Sequence, residues 1–130
     1  LTPAPEERAA YIEYAVRMWR VFWGTLPFDE DDVRKKAAEE YDRAFYPQGL
    51  VRQLAAIIPH GNRSSRLASV TAPTLVVHGS EDPLIPPEGG RDTAEAIAGA
   101  QLRIIEGMGH SLPRAAWPEI VDAIAGFAGK

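Results

Sequence analysis

Two short apolar runs with a helical segment between them restrict the fold more than any other feature of the sequence. Residues 74–79, TLVVHG, are rich in β-branched side chains and end in glycine, which is typical of a strand buried on both faces. Residues 100–107, AQLRIIEG, predict a second strand, and helices are expected over 91–97 and 117–127. Strand, helix, strand and helix in this order predict an α/β fold with two parallel strands joined by a right-handed crossover.

The first half of the chain predicts helices. Apolar residues recur at steps of three and four over 6–23, as in an amphipathic helix, and Gly24 and Pro27 end the pattern. A second helix begins at the acidic run 29–32. Its carboxylates suit a helix N-terminus, and we prefer this interpretation to a metal site because no clustered ligands follow. A third helix is expected over 49–58, before a turn-rich connector.

Two of the predicted helices carry an apolar face, and we expect that of the third helix to point inward. In the third helix this face consists of Leu50, Leu54, Ile57 and Ile58. In the C-terminal helix it consists of Ile120, Val121, Ile124 and Phe127. Pro118 suits the first turn of that last helix.

Composition argues against several classes of function. The net charge of −4 over 130 residues disfavours binding to nucleic acids or anionic membranes. The absence of cysteine removes disulfides, thiolate metal sites and cysteine nucleophiles, and we expect no cofactor. No run of about 18 apolar residues and no signal-peptide pattern occurs, so we expect a cytoplasmic protein with no membrane partner. Because the chain begins with Leu1, we expect a piece of a longer protein.

Two loops could carry chemistry, because each follows the carboxyl end of a predicted strand. The first contains Asp82 and the second contains His110. Ligands bind outside the carboxyl ends of the strands in open parallel sheets, and adjacent strands would bring both loops to the same edge. A carboxylate that accepts a hydrogen bond from His Nδ1–H fixes the tautomer of the imidazole and stabilises the imidazolium.

The sequence around both loops resembles the α/β-hydrolase superfamily. APTLVVHGSEDPLIP and RIIEGMGHSLP match its H-G-x-x-D-P-L-x-P and G-M-G-H motifs, and RQLAAIIPHGNRSSRL resembles the cap-to-core helix of aclacinomycin methylesterase-like esterases. The resemblance implies that Asp82 is the acid and His110 the general base of a catalytic triad. It also implies that residues 1–70 are helical cap and cap-to-core helices, and that residues 71–130 form the C-terminal βαβα part of the hydrolase core.

Other residues allow a structural or a functional interpretation. Trp19 and Trp23 either line a substrate pocket or only pack the cap. His78 is expected to be a buried structural histidine beside the site, and His60 to be exposed. Many relatives have an acidic residue after the histidine, where this chain has Ser111. We expect Ser111 to lie outside the proton relay and not to be the nucleophile. No group of residues predicts a metal site.

The 130 residues lack the G-x-S-x-G motif that presents a serine nucleophile. We therefore expect the chain to be the cap and C-terminal segment of a serine esterase acting on a small ester-like substrate, and to be inactive alone. We also expect two strands to need the missing N-terminal half, or self-association, for stability. The alternative is a non-catalytic truncated hydrolase that binds a ligand or forms oligomers. Lyases, dehalogenases and haloperoxidase-like members of the superfamily would share the same fold.

Overall fold

The computed structural model describes residues 4–129, and they form two compact units. One unit contains residues 4–20 and 29–62, and the other contains residues 21–28 and 63–129. The segment Val21–Phe28 therefore groups with the C-terminal part of the chain. The domain boundary expected near residue 70 stays a prediction.

The first unit is helical, as the sequence predicts. Helix α1 spans Arg8–Phe22, and its last two residues belong to the second unit. Helix α2 spans Glu30–Ala44 and α3 spans Gln48–Ile57, followed by a 3-10 turn at Ile58–His60. At the start of α2 the Asp29 carboxylate accepts a hydrogen bond from the amide of Asp32 (3.0 Å). The interpretation of the acidic run as a helix cap is confirmed.

Apolar and ionic contacts join α1 to α2. The buried side chains here are Ala15, Val16, Val33 and Ala37. The Tyr11 ring lies 5.4 Å from the ring of Tyr41 and 5.6 Å from that of Phe45. Arg34 hydrogen-bonds the carboxylates of Glu13 and Glu30. These apolar and ionic contacts together hold α1 against α2.

The expectation that the apolar side of α3 points inward is wrong. Leu50, Leu54, Ile57 and Ile58 are all exposed, Ile58 to 77%. Helical periodicity identifies an apolar face, but burying that face requires a second surface. In the described part of the chain no element fully covers this side of α3, so its apolar residues remain in contact with solvent.

The second unit contains a parallel pair of strands with helices around it. The strands are β1, Leu75–Gly79, and β2, Gln101–Ile105. They pair in parallel with Leu75 opposite Gln101 and Gly79 opposite Ile105, as the sequence predicts. Gly79 is the buried residue of β1 and the other four are half-buried, so the prediction of a strand buried on both faces is wrong. In the described part of the chain both strands are edge strands, so each has one side without a neighbouring strand.

Helices α4, α5 and α6 complete this unit. Helix α4 spans Ser64–Leu67 within the predicted connector, and α5 spans Pro87–Ala96, four residues earlier than the predicted start. Helix α6 spans Trp117–Ala128 with proline in its first turn, as predicted. None of these helices, nor any other in residues 4–129, is long and apolar enough to cross a membrane.

The core of the second unit lies at the carboxyl ends of the strands. Ile105, Met108 and Ala116 are buried there, and Leu26, Val77 and Ile120 pack against them. The apolar face of α6 is only partly buried, because Val121 and Ile124 are 59% and 52% exposed. The surface that α6 meets among the described residues is two strands wide, and it covers only part of that face.

Candidate active site

The loops after β1 and β2 leave the same edge of the sheet. Because His78 pairs with Ile104 and Gly79 with Ile105, the two strands end at the same level. The loops are then tied together, since the Gly107 amide donates to Ser80 Oγ (2.8 Å) and the Glu81 amide donates to the Met108 carbonyl (3.0 Å). This arrangement brings Asp82 and His110 into contact.

The imidazole of His110 is hydrogen-bonded to the carboxylate of Asp82. The distance from His110 Nδ1 to Asp82 Oδ2 is 2.7 Å. An ionised carboxylate only accepts hydrogen bonds, so Nδ1 carries the proton and donates it. In the neutral ring Nε2 then has a free lone pair, which is what a general base requires. The His110 side chain is 39% exposed, while that of Asp82 is 5% exposed.

The other carboxylate oxygen of Asp82 anchors its own loop. Asp82 Oδ1 accepts hydrogen bonds from the amides of Leu84 and Ile85, both at 2.9 Å. Burial opposes ionisation of Asp82, but the hydrogen bonds from Ile85, His110 and Leu84 together outweigh it and hold the pKa of this carboxyl below its ordinary value. Asp82 is therefore an anion that can stabilise a positive charge on His110.

His78 lies beside Asp82, as expected, but it is half-buried, so the prediction of a buried histidine is wrong. Its Nε2–H donates to the carbonyl of Ile85 (2.9 Å) and lies 3.7 Å from Asp82 Oδ2. Gly90 packs against the His78 ring so closely that a Cβ there would lie 2.9 Å from ring atoms. Sequence reasoning missed the Leu84 and Ile85 amides, because backbone donors leave no residue-type signal.

Two glycines shape the histidine loop in different ways. Gly107 has φ of +72°, a conformation that glycine adopts without strain. Gly109 has no positive φ, but a Cβ on it would lie 2.2 Å from the carbonyl oxygen of Phe22. Gly109 is therefore required for close packing of backbone on backbone.

The two tryptophans predicted to line a substrate pocket occupy different units. Trp19 lies in the helical unit and is 36% exposed. Trp23 is buried in the other unit, where its indole N–H donates to the Pro27 carbonyl (2.9 Å) and its ring packs edge-on against Phe28 (4.9 Å). A substrate-binding role for either stays a prediction.

The helical unit contains a groove that the sequence did not indicate. It has a volume of about 810 Å³ and lies among α1, α2 and α3. Its lining includes the aromatic and apolar side chains of Tyr11, Tyr14, Tyr41, Tyr46 and Leu54. Tyrosines from three separate segments meet there, which no local pattern in the sequence reveals.

The remaining candidates lie as follows. His60 is exposed, as predicted. Ser111 is buried, and its hydroxyl has no hydrogen-bond partner among residues 4–129. The same residues contain no cluster of three or more histidine, aspartate or glutamate side chains suited to a metal ion.

The comparisons with known proteins agree on one family. The family model described as serine aminopeptidase, S33, matches residues 28–114. The rhodomycin D methylesterase of Streptomyces peucetius is 33% identical over 115 residues, which cover 87% of this chain and 38% of that protein. A 2-hydroxy-6-oxononadienedioate/2-hydroxy-6-oxononatrienedioate hydrolase of Cupriavidus pinatubonensis is 30% identical over 105 residues, covering 79% of this chain and 36% of that protein. The chain thus spans less than two-fifths of the length of these relatives.

Solved structures with the same fold include two whose similarity extends over nearly the whole chain. A bromoperoxidase from Bacillus anthracis matches with a TM-score of 0.74 and 22% identity, covering 92% of this chain and 44% of that one. An esterase from Rhodococcus sp. matches with a TM-score of 0.68 and 19% identity, covering 98% of this chain and 44% of that one. The predicted partial α/β-hydrolase fold is confirmed.

Proposed function

Because the chain belongs to the serine aminopeptidase S33 family of the α/β-hydrolase superfamily, we propose that it supplies the acid and the base of a carboxylic-ester hydrolase. Asp82 is the acid and His110 the base. The observation that carries this proposal is the 2.7 Å hydrogen bond from His110 Nδ1 to Asp82 Oδ2. It leaves Nε2 on a side chain that solvent and substrate can reach, while the carboxylate is buried behind it.

The chemistry follows from this orientation. Nε2 takes the proton of a serine hydroxyl as the serine oxygen attacks the ester carbonyl. The imidazolium is stabilised by the anionic Asp82, and it then protonates the leaving alcohol. In the second half of the reaction Nε2 removes a proton from water, which attacks the acyl-serine and releases the acid. The serine and the oxyanion donors belong to a segment outside these 130 residues, since the sequence has no G-x-S-x-G.

Ester hydrolysis is the reaction class that the relatives support best. A methylesterase is among the most similar relatives, and an esterase is among the structures with the same fold. Peptides, dienedioates and the substrates of bromoperoxidases are alternatives within the same fold. They require the same base but differ in the pocket, which the nucleophile-bearing segment helps to form.

The missing segment also provides a partner for surfaces that are otherwise exposed. Val121 and Ile124 on α6 and the apolar side of α3 remain in contact with solvent. Packing against the segment that carries the serine would remove these side chains from water, and self-association through the same surfaces is the alternative. A non-catalytic truncated hydrolase is the second candidate, and the observation in its favour is the missing nucleophile motif.

The test begins with the coding sequence upstream of Leu1. We expect it to encode a G-x-S-x-G motif, and the longer protein to hydrolyse nitrophenyl esters. The His110→Ala variant should then lose activity, whereas Ser64→Ala, at an exposed serine on α4, should retain it. The 130-residue chain alone should be inactive. A start codon immediately before Leu1, or turnover that survives His110→Ala, would contradict the proposal.

A further inference from the structure

Residues 22–26, the last residue of α1 and the four that follow it, hold the backbone of the histidine loop. The His110 amide donates to the Phe22 carbonyl (2.7 Å), and the Gly109 amide donates to the Trp23 carbonyl (2.9 Å). In the opposite direction the Thr25 amide donates to the Gly107 carbonyl (2.9 Å). Gly24 and Met108 form an antiparallel bridge in the middle. The backbone of residues 107–110, including the amide of His110, is therefore fixed by a segment that is distant in sequence.

The two backbones approach so closely that only glycine fits at the contact. Gly24 has φ of +84°, and a Cβ on it would lie 2.3 Å from the Gly107 oxygen and 2.7 Å from the Gly109 nitrogen. Real Cβ atoms are not found at such distances from backbone atoms. The sequence predicts only that Gly24 ends a helix, but the structure shows a second requirement at the same residue.

The same segment also contacts the acid loop and the imidazole. The Thr25 hydroxyl donates to Glu81 Oε1 (3.0 Å), next to Asp82. The Phe22 ring lies 6.4 Å from the His110 ring in an edge-on arrangement, with 66° between the planes. One short segment thus meets both loops that carry the proposed acid and base.

We propose that residues 22–26 are a positioning segment for the general base. The proposal rests on the proposed function of Asp82 and His110. The direction of the imidazole follows from the backbone of residues 109 and 110, and small displacements of a catalytic group cost large factors in rate. The segment touches no reacting atom. It acts by fixing His110 at the distance where Nδ1 reaches Asp82.

The first experiment is proton NMR on the 130-residue chain. The His110 Nδ1–H that is bonded to Asp82 should give a low-field signal, identified by its loss in Asp82→Asn. We expect Gly24→Ala to lose this signal while the chain stays folded by circular dichroism. Gly99→Ala is the matched control, because Gly99 also has a positive φ (+77°) but has no atom within 4 Å of its Cβ position. A folded Gly24→Ala chain that keeps the signal would overturn the proposal.

The second experiment is amide hydrogen exchange, which keeps the proposal testable if Gly24→Ala does not fold. In the unmodified chain the amides of Gly109 and His110 should exchange at least about tenfold more slowly than that of Leu112, after correction for intrinsic rates. Leu112 is the reference because its amide donates no hydrogen bond in the described part of the chain. Equal rates would refute the contact. Neither measurement requires turnover, so failure of the proposed hydrolase activity is a separate result.

Discussion

Replacing Asp82 by asparagine changes the direction of a single hydrogen bond and little else. The amide oxygen of asparagine can still accept hydrogen bonds from the amides of Leu84 and Ile85, which lie 2.9 Å from Asp82 Oδ1 in the unmodified chain. The amide nitrogen then faces His110 Nδ1, where Asp82 Oδ2 lies at 2.7 Å. An NH₂ group only donates, so Nδ1 must accept and the proton moves to Nε2. Nε2 is the atom that has to take the proton of the serine.

The size of the effect differs between activity and stability. With the wrong tautomer, we expect kcat of the complete hydrolase to fall by about 10⁴, the factor known for the same exchange in a serine-protease triad. Stability should fall by about 1.5–3 kcal/mol, the contribution of one charged hydrogen bond, because the two backbone hydrogen bonds remain. Asp82→Ala removes all three hydrogen bonds, and we expect a loss of roughly 3–5 kcal/mol.

Nitrogen-15 NMR of the His110 ring measures the tautomer directly in the 130-residue chain. The unmodified chain should carry the proton on Nδ1 and the Asp82→Asn chain on Nε2. Chemical denaturation of the same samples gives the stability, and ester hydrolysis by the longer protein gives kcat. If the Asp82→Asn chain kept its proton on Nδ1, or if kcat fell by less than about tenfold, the assignment of Asp82 as the orienting acid would be refuted.

Two further predictions concern stability. The pKa of Asp82 is held below its ordinary value of 3.8, so its stabilising contribution is complete above that pH and is lost as the pH falls through the lower folded-state value. Below that pH the free energy of unfolding should therefore fall more steeply for the unmodified chain than for Asp82→Asn. Parallel curves of unfolding free energy against pH would contradict this. Gly79→Ala places a Cβ 2.1 Å from the Met108 carbonyl oxygen and should destabilise by roughly 1–3 kcal/mol. Gly126→Ala, in α6 with no atom within 4 Å of its Cβ position, should instead stabilise the chain by up to about 1 kcal/mol. If Gly79→Ala were the more stable of the two variants, crowding would not be the reason for a glycine at position 79.

Local patterns were sufficient to predict the parts of the fold that depend on neighbouring residues. The β-branched run before Gly79 predicted β1, and the acidic residues after Asp29 predicted the start of α2. The order of strands and helices predicted that Asp82 and His110 come together, because parallel strands end at one edge. Their roles in catalysis stay a prediction.

The same patterns failed where a second surface decides the outcome. Ile57 and Ile58 have the spacing of residues that point inward, but nothing among the described residues covers them. The start of α5 was placed too late because Gly89 and Gly90 are poor helix formers. Gly90 is nevertheless accommodated in the helix, where it makes room for the ring of His78.

The antiparallel bridge between Gly24 and Met108 has a consequence for the order of folding. Its flanking hydrogen bond joins Phe22 to His110, about 90 residues apart, and closing so long a loop costs entropy that local contacts do not. We therefore expect the strands and helices to form before this contact does. A partly folded chain would already carry Asp82 and His110 on neighbouring loops, but it would acquire an aligned base only in the last step of folding.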